Sequence, residues 1–176
     1  MGVIPPLFVG LAVLVFGATV FYVFLLGLFW GGAGYSPTGR RQLEAAASLL
    51  QLKEGDTVYD LGSGFGKALL FFAKRYKVSV VGVEIEPMRC SLSRWRANRE
   101  GVSDKVRVVR GNLLDTDLSR SSKVFFFLSP LLMRRVQEKV GREMPEGSRV
   151  VSVDHRFPDW EAAQTVDNVH LYIVTR

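Results

Sequence analysis

The chain has 176 residues, 48% of them hydrophobic, a net charge of +6 and one cysteine. That length holds one domain and an appendage rather than two full domains, and a single thiol excludes an internal disulfide. The charge is unevenly placed: residues 1–39 contain no Asp, Glu, Lys, Arg or His, so all of it belongs to the part from Arg40 onward, roughly 140 residues, enough to bury one core.

Residues 7–30, LFVGLAVLVFGATVFYVFLLGLFW, are 24 positions without a charge. As a helix this run is long enough to cross a hydrocarbon core of about 30 Å. Tyr22 and Trp30 lie toward one end, where amphipathic rings favour the interface, and Pro5 and Pro6 precede the run, where proline is tolerated. A cleaved signal peptide fits less well, because no basic segment precedes the run, the run is too long and no small-x-small site follows it. The expectation is a transmembrane anchor in residues 1–34 that ends in a flexible Gly31-Gly32-Ala33-Gly34 joint. Arg40, Arg41 and Lys53 follow the run and nothing basic precedes it. The positive-inside rule then puts the N-terminus outside and the domain, residues 35–176, on the cytoplasmic or matrix-equivalent side.

Ser36-Pro37 has the signature of an N-cap followed by proline in the first turn, and Leu43, Ala46, Ala47 and Leu50 then share one helical face. Residues 57–61 read as a first strand, 68–76 as an apolar helix, 79–85 as a valine-rich strand, 87–99 as a basic helix and 106–109 as a third strand. Cys90 on the basic helix reads as a small apolar packing residue. Residues 123–128 are apolar after the first position, which suits a central strand buried on both faces. A helix over 131–142, a turn at Pro145-Glu146-Gly147 and a strand over 149–153 follow. Thr165-Val166 and residues 170–174 flank Asp167-Asn168, a link too short for a parallel crossover, so they form an antiparallel hairpin. The order predicts an α/β fold, Rossmann-like and doubly wound, with a mostly parallel sheet and an antiparallel last strand.

Chemistry concentrates where Asp60-Leu61-Gly62-Ser63-Gly64-Phe65-Gly66 leaves the first strand and opens a helix. Glycines there allow positive φ and a close ligand, and the helix N-terminus favours negative charge such as a ligand carboxylate. Glu84 ends the second strand, where a carboxylate can accept from ribose hydroxyls, and Asn112 with Leu113 follows the third, where an amide can meet an adenine edge. A dinucleotide loop runs Gly-x-Gly-x-x-Gly around a pyrophosphate, but here Lys67 holds the third glycine's place and Asp60 stands at the entrance. That carboxylate repels a pyrophosphate and attracts a cationic sulfonium, so the expected cofactor is S-adenosyl-L-methionine, bound by Asp60, Gly62, Ser63, Gly64, Gly66, Glu84, Asn112 and Leu113. No metal is expected, since no His/Cys cluster has ligand spacing and His155 and His170 stand far apart.

Residues 53–66, KEGDTVYDLGSGFG, resemble the first motif of class I S-adenosylmethionine-dependent methyltransferases. Tyr35-Ser36-Pro37-Thr38, Arg110-Gly111-Asn112-Leu113-Leu114 and Asp154-His155-Arg156-Phe157-Pro158-Asp159-Trp160 are similar to a narrower group. That group holds archaeal broad-specificity protein-lysine methyltransferases and the mitochondrial enzymes for the ATP synthase c subunit and the adenine nucleotide translocase. The resemblance implies transfer of a methyl group to lysine side chains of protein substrates, membrane-associated ones given the anchor. Ser129-Pro130 departs from the Asn-Pro-Pro-Tyr motif of many amide-nitrogen methyltransferases, which argues against Gln, Asn or exocyclic base nitrogens.

Tyr35, Ser129 and Pro130 are the candidates for the acceptor side, with Tyr35 equally suited to a membrane interface. His155 suits a structural hydrogen bond better than a proton shuttle, and Trp160 suits packing. Two other readings stay open: a methyltransferase for a lipid-like small molecule, favoured by an apolar pocket beside Ser129, and a cofactor-binding module without catalysis. An open, acid-lined groove favours lysine. Nucleic acid is not an expected partner: the arginines of 87–99 lack a stacking platform beyond Trp95 and suit a solvated face or anionic headgroups better.

Overall fold

The structure, a computed structural model, describes residues 6–29 and 38–175, with side chains in the first helix described at 10–23. The chain divides into two compact units, residues 1–35 and 36–176. The first holds helix α1, Pro6–Phe29, whose described side chains are all exposed. The predicted apolar run is therefore helical. Among the described residues no helix is long and apolar enough to cross a membrane, so the expected transmembrane span is not supported there.

The second unit runs α2 (Arg40–Leu49), β1 (Thr57–Leu61), α3 (Lys67–Tyr76), β2 (Ser79–Glu84), α4 (Pro87–Arg99), β3 (Val106–Arg110), β4 (Lys123–Phe126), α5 (Met133–Glu143), β5 (Arg149–Val153), β6 (Gln164–Val166) and β7 (Val169–Ile173). The seven strands lie in the order β3-β2-β1-β4-β5-β7-β6. The five from β3 to β5 are parallel; β7 runs antiparallel between β5 and β6. The last strand is thus antiparallel as expected but lies inside the sheet, with the exposed three-residue β6 at its edge. Asp167 and Asn168 at φ 47° and 59° make the tight hairpin turn that closes β6 onto β7.

Side-chain alternation explains why β4 reads as continuously apolar. Phe125 joins the core under α2, α3 and α4, whereas Val124 and Phe126 join the core under α5 on the other face. With both faces covered, neither side of the strand tolerates a polar residue. Between β3 and β4, where the sequence shows no helix, the crossover carries a 3-10 turn at Leu113–Asp115.

Tyr35, Ser36 and Pro37, an acceptor candidate and the predicted cap, lie outside the described residues. Helix α2 is capped instead at Gly39, whose N–H donates to Gln42 Oε1 at 2.8 Å. Leu43, Ala46, Ala47 and Leu50 are buried on the predicted face.

Candidate functional site

Strand order reverses between β1 and β4, so the exits of β1, β2, β3, β4 and β5 converge on one edge with a crevice at the switch point. Two halves meet there.

In the β1–β2–β3 half the glycine loop is tied down by its own N–H groups. Gly62 and Ser63 donate to Val83 C=O at 2.8 and 3.0 Å, and Gly66 donates to Ser63 C=O at 2.9 Å. Gly64 donates to Glu84 Oε2 at 2.8 Å. Four loop amides are therefore committed inward, and a pyrophosphate would find no cradle in them. The glycines serve internal packing as much as ligand approach. A Cβ at Gly62, φ 81°, would stand 2.7 Å from Leu128 Cδ2; one at Gly66, φ 76°, would stand 2.9 Å from Ser93 Oγ. The Leu128 contact joins the loop directly to the β4 exit.

Asp60 and Glu84 are both buried, on adjacent strands, with Asp60 level with Gly82 and Glu84 two positions further along β2. They are held differently. Glu84 accepts from Gly64, Ile85 and Glu86 N–H groups at 2.8, 2.9 and 3.0 Å. No hydrogen bond from the described residues reaches the Asp60 carboxyl; burial, then the Glu84 charge, pushes its pKa up to about 8. A buried carboxyl without a donor beside a second carboxylate fits a cationic ligand. The Ser63 hydroxyl is also buried without a partner. Asn112 is exposed, and its Oδ1 accepts from Leu114 N–H at 3.0 Å, which leaves the amide nitrogen for a ligand. Leu113 follows it, half-buried in the 3-10 turn. These residues fit the sulfonium, ammonium and ribose hydroxyls of S-adenosyl-L-methionine and disfavour a pyrophosphate.

In the β4–β5 half, Ser129 is half-buried and Pro130 exposed at the start of a short 3-10 turn, Pro130–Leu132, where Ser129 Oγ accepts from Leu131 N–H at a long 3.4 Å. A cleft of about 300 Å³ opens beside them, lined by Pro130, Met133, Arg134, His155, Arg156 and Pro158. Its lining is neither apolar throughout nor acidic, and Arg134 is met by Asp159 at 3.0 Å. Among the described residues the His155 ring does not take the structural hydrogen bond expected of it. It lies 6.4 Å from the Phe127 ring and lines the cleft. Trp160 does pack, edge-on to Phe157 at 5.5 Å.

One residue of this half escaped the sequence reading as a site. Asp154 ends β5 at φ 63°, with His155 N–H bonded to Val153 C=O at 2.8 Å in a tight three-residue turn. A left-handed non-glycine residue costs about 1–3 kcal/mol and persists where surroundings over-determine it. Here they do. Asp154 N–H donates to Asn168 C=O at 2.8 Å, and Gln42 Nε2 donates to Asp154 Oδ1 at 3.2 Å. The other carboxylate oxygen has no partner among the described residues. The Asp-His-Arg run was visible in the sequence, but its positive φ was not.

Comparison with known proteins bears on this edge directly. Residues 60–164, more than half of the chain, match the model of the ANTKMT methyltransferase domain. The chain belongs to this methyltransferase family. Its cofactor is S-adenosyl-L-methionine, as the carboxylate pair implied. The family domain is similar to a protein-lysine N-methyltransferase of Saccharolobus islandicus, at 28% identity over 80% of this chain and 92% of the relative. It is similar to the human lysine N-methyltransferase of the ATP synthase c subunit at 30% identity, over 78% of this chain. This chain spans about 60% of that relative's length. Among solved structures, an RNA methyltransferase of Salinibacter ruber in complex with S-adenosyl-L-homocysteine superposes with a TM-score of 0.76, at 29% identity, over 79% of this chain and 94% of that one. The narrower resemblance read from the motifs is thus borne out.

Proposed function

We propose that this methyltransferase acts on lysine side chains of protein substrates, and that residues 1–34 anchor it to a bilayer with the domain on the cytoplasmic or matrix-equivalent side. The observation that carries the lysine reading is Asp154. A carboxylate at the β5 exit, with one oxygen held by Gln42 and the other unpaired, offers a cationic side chain a fixed partner. The names of the archaeal and human relatives support the same acceptor. The anchor rests on the uncharged run of residues 7–30 and on the arginines that follow it.

S-adenosyl-L-methionine, when bound, supplies an electrophilic methyl group on a cationic sulfur. The chain's part is position and electrostatics. Asp60 and Glu84 form the acidic wall that favours a cation on the β1–β2 side. Leu128, packed against Gly62, joins the two halves of the edge. Asp154 orients the incoming amine, and the Ser129 hydroxyl, whose bond to Leu131 is weak, is free to accept from it. An amine attacks only when neutral: desolvation near a positive sulfur lowers its pKa against the opposite pull of the Asp154 carboxylate, and the proton it sheds leaves to solvent through the open cleft, so no dedicated base is required. Tyr35 remains part of this proposal as an acceptor-side residue.

The test is to incubate the full chain with methyl-labelled cofactor and membrane extract, then locate the label. Label in lysines of membrane proteins is expected. Label in extractable lipid, with none in protein, moves the activity to a small-molecule acceptor, and no label in either leaves a cofactor-binding module.

A further inference from the structure

Helix α4 is built the wrong way round for a helix that only covers a sheet. Its thirteen residues read PMRCSLSRWRANR. The residues it buries are small: Cys90, Ser93 and Ala97. The large apolar ones face out, with Met88 78%, Leu92 41% and Trp95 53% exposed. Their spacing of four and three places them on one narrow stripe. Ile85, 52% exposed, extends it at the β2 exit, and the Arg99 guanidinium extends it at the other end, over the Trp95 ring at 5.3 Å. Isolated exposed apolar residues are ordinary, but a contiguous stripe of them marks a surface that something covers.

Charge says what. The helix has four arginines and no acid. Arg89 lies 5.5 Å from the Phe65 ring centre, Arg96 donates to Phe65 C=O at 2.9 Å and Arg94 to Val108 C=O at 2.8 Å, so with Arg99 over Trp95 all four are positioned by aromatic or backbone partners. None of the four forms an ion pair among the described residues. We infer that the α4 face is a docking surface for an anionic bilayer: Met88, Leu92 and Trp95 enter the boundary between headgroups and acyl chains, and the arginines meet lipid phosphates. A bilayer is favoured over an acidic protein because the same chain carries the uncharged run of residues 7–30, and because tryptophan and arginine together suit the membrane interface. The inference rests on the membrane-proximal reading above and deepens it. Because α4 starts three residues after Glu84, docking would hold the cofactor edge of the sheet at the lipid surface, where lysines emerging from membrane proteins are within reach.

The experiment uses the full chain reconstituted with vesicles of phosphatidylcholine carrying brominated acyl chains, with or without phosphatidylserine. Tryptophan quenching is read for the parent chain and for Trp95→Phe. Quenching of the parent should deepen when phosphatidylserine is added and relax in high salt, and that increment should vanish in Trp95→Phe. Met88→Asp, which changes an exposed side chain, should shrink the increment without changing the melting temperature. Equal quenching of parent and Trp95→Phe at every composition overturns the docking surface. The anchor is read separately: quenching of Trp30 persists without phosphatidylserine and in Trp95→Phe if residues 7–30 insert, and its absence sinks the anchor whatever Trp95 does.

Discussion

The two halves of the ligand edge are made of the same element, a strand running into a loop, yet they are held in opposite ways. At the β1–β2 exits the loop amides of Gly62, Ser63, Gly64 and Gly66 are all bonded within the protein, and the polar groups left without hydrogen-bond partners among the described residues are buried side chains, Asp60 and Ser63. At the β4–β5 exits the backbone is strained at Asp154, the Ser129 bond is long, and an open cleft adjoins them. A cofactor is one fixed molecule, so its half can be rigid and pre-charged. A side chain arriving on another macromolecule needs an open approach, and that half keeps one carboxylate oxygen and a cleft available. Leu128 against Gly62 is where the halves touch.

The largest effect is expected from Glu84→Ala. It removes the acceptor for three backbone N–H groups, Gly64 among them in a buried setting. Leaving a buried donor unpaired costs about 1–3 kcal/mol. Denaturant unfolding should show a loss of that order, and cofactor affinity by calorimetry should fall at least as far. If Glu84→Ala keeps both within experimental error, the loop is not held through this carboxylate.

Gly66→Ala comes next. An alanine at φ 76° pays the left-handed penalty of about 1–2 kcal/mol, and its Cβ pushes on Ser93 Oγ, which donates to Gly64 C=O at 3.0 Å. The unfolding midpoint should drop, with cofactor binding weakened through the displaced loop. An unchanged midpoint contradicts the close packing of α4 on the loop.

Asp60 provides a smaller, pH-dependent effect whose sign is fixed. Its folded pKa, near 8, lies above the unfolded value of 3.8, so between those values folding takes up a proton. Stability from this group is therefore full below pH 3.8 and is lost as pH rises through 8. Asp60→Asn should remove that slope, gaining on the parent as pH rises. Cofactor binding draws the opposite way. A cationic ligand favours the ionised carboxylate, so binding should release a proton below about pH 8 and tighten as pH rises toward that value. Calorimetry in two buffers of different ionisation enthalpy measures the release, and none in the parent chain would separate Asp60 from the ligand.

The cofactor half was the more legible in the sequence. A strand, glycines at 62, 64 and 66 and an acid twenty residues beyond Gly64 form a local pattern, and each element carries its own periodicity. What local pattern could not show was interior. Nothing in the sequence indicates that the loop amides turn inward or that Gly62 is fixed by Leu128 from another strand's exit. The acceptor half was less legible because it is assembled from distant pieces: Gln42, Asp154 and Asn168 come together only through the sheet order. On α4 only Cys90 was read as a packing residue; burial adds Ser93 and Ala97 and shows that the large residues face out.

The separation of the halves is tested most directly with Asp154→Asn. Asparagine tolerates the left-handed region and keeps an acceptor for Gln42, so the turn should survive while the charge is lost. The measurement pairs cofactor affinity by calorimetry with the rate of methyl transfer to membrane-protein lysines. Affinity within about twofold of the parent is expected, with transfer reduced by roughly tenfold or more, the loss of one charge-assisted bond at about 1.5–3 kcal/mol. Cofactor affinity falling tenfold or so, while transfer by the bound form stays unchanged, would contradict a division of labour between the two halves.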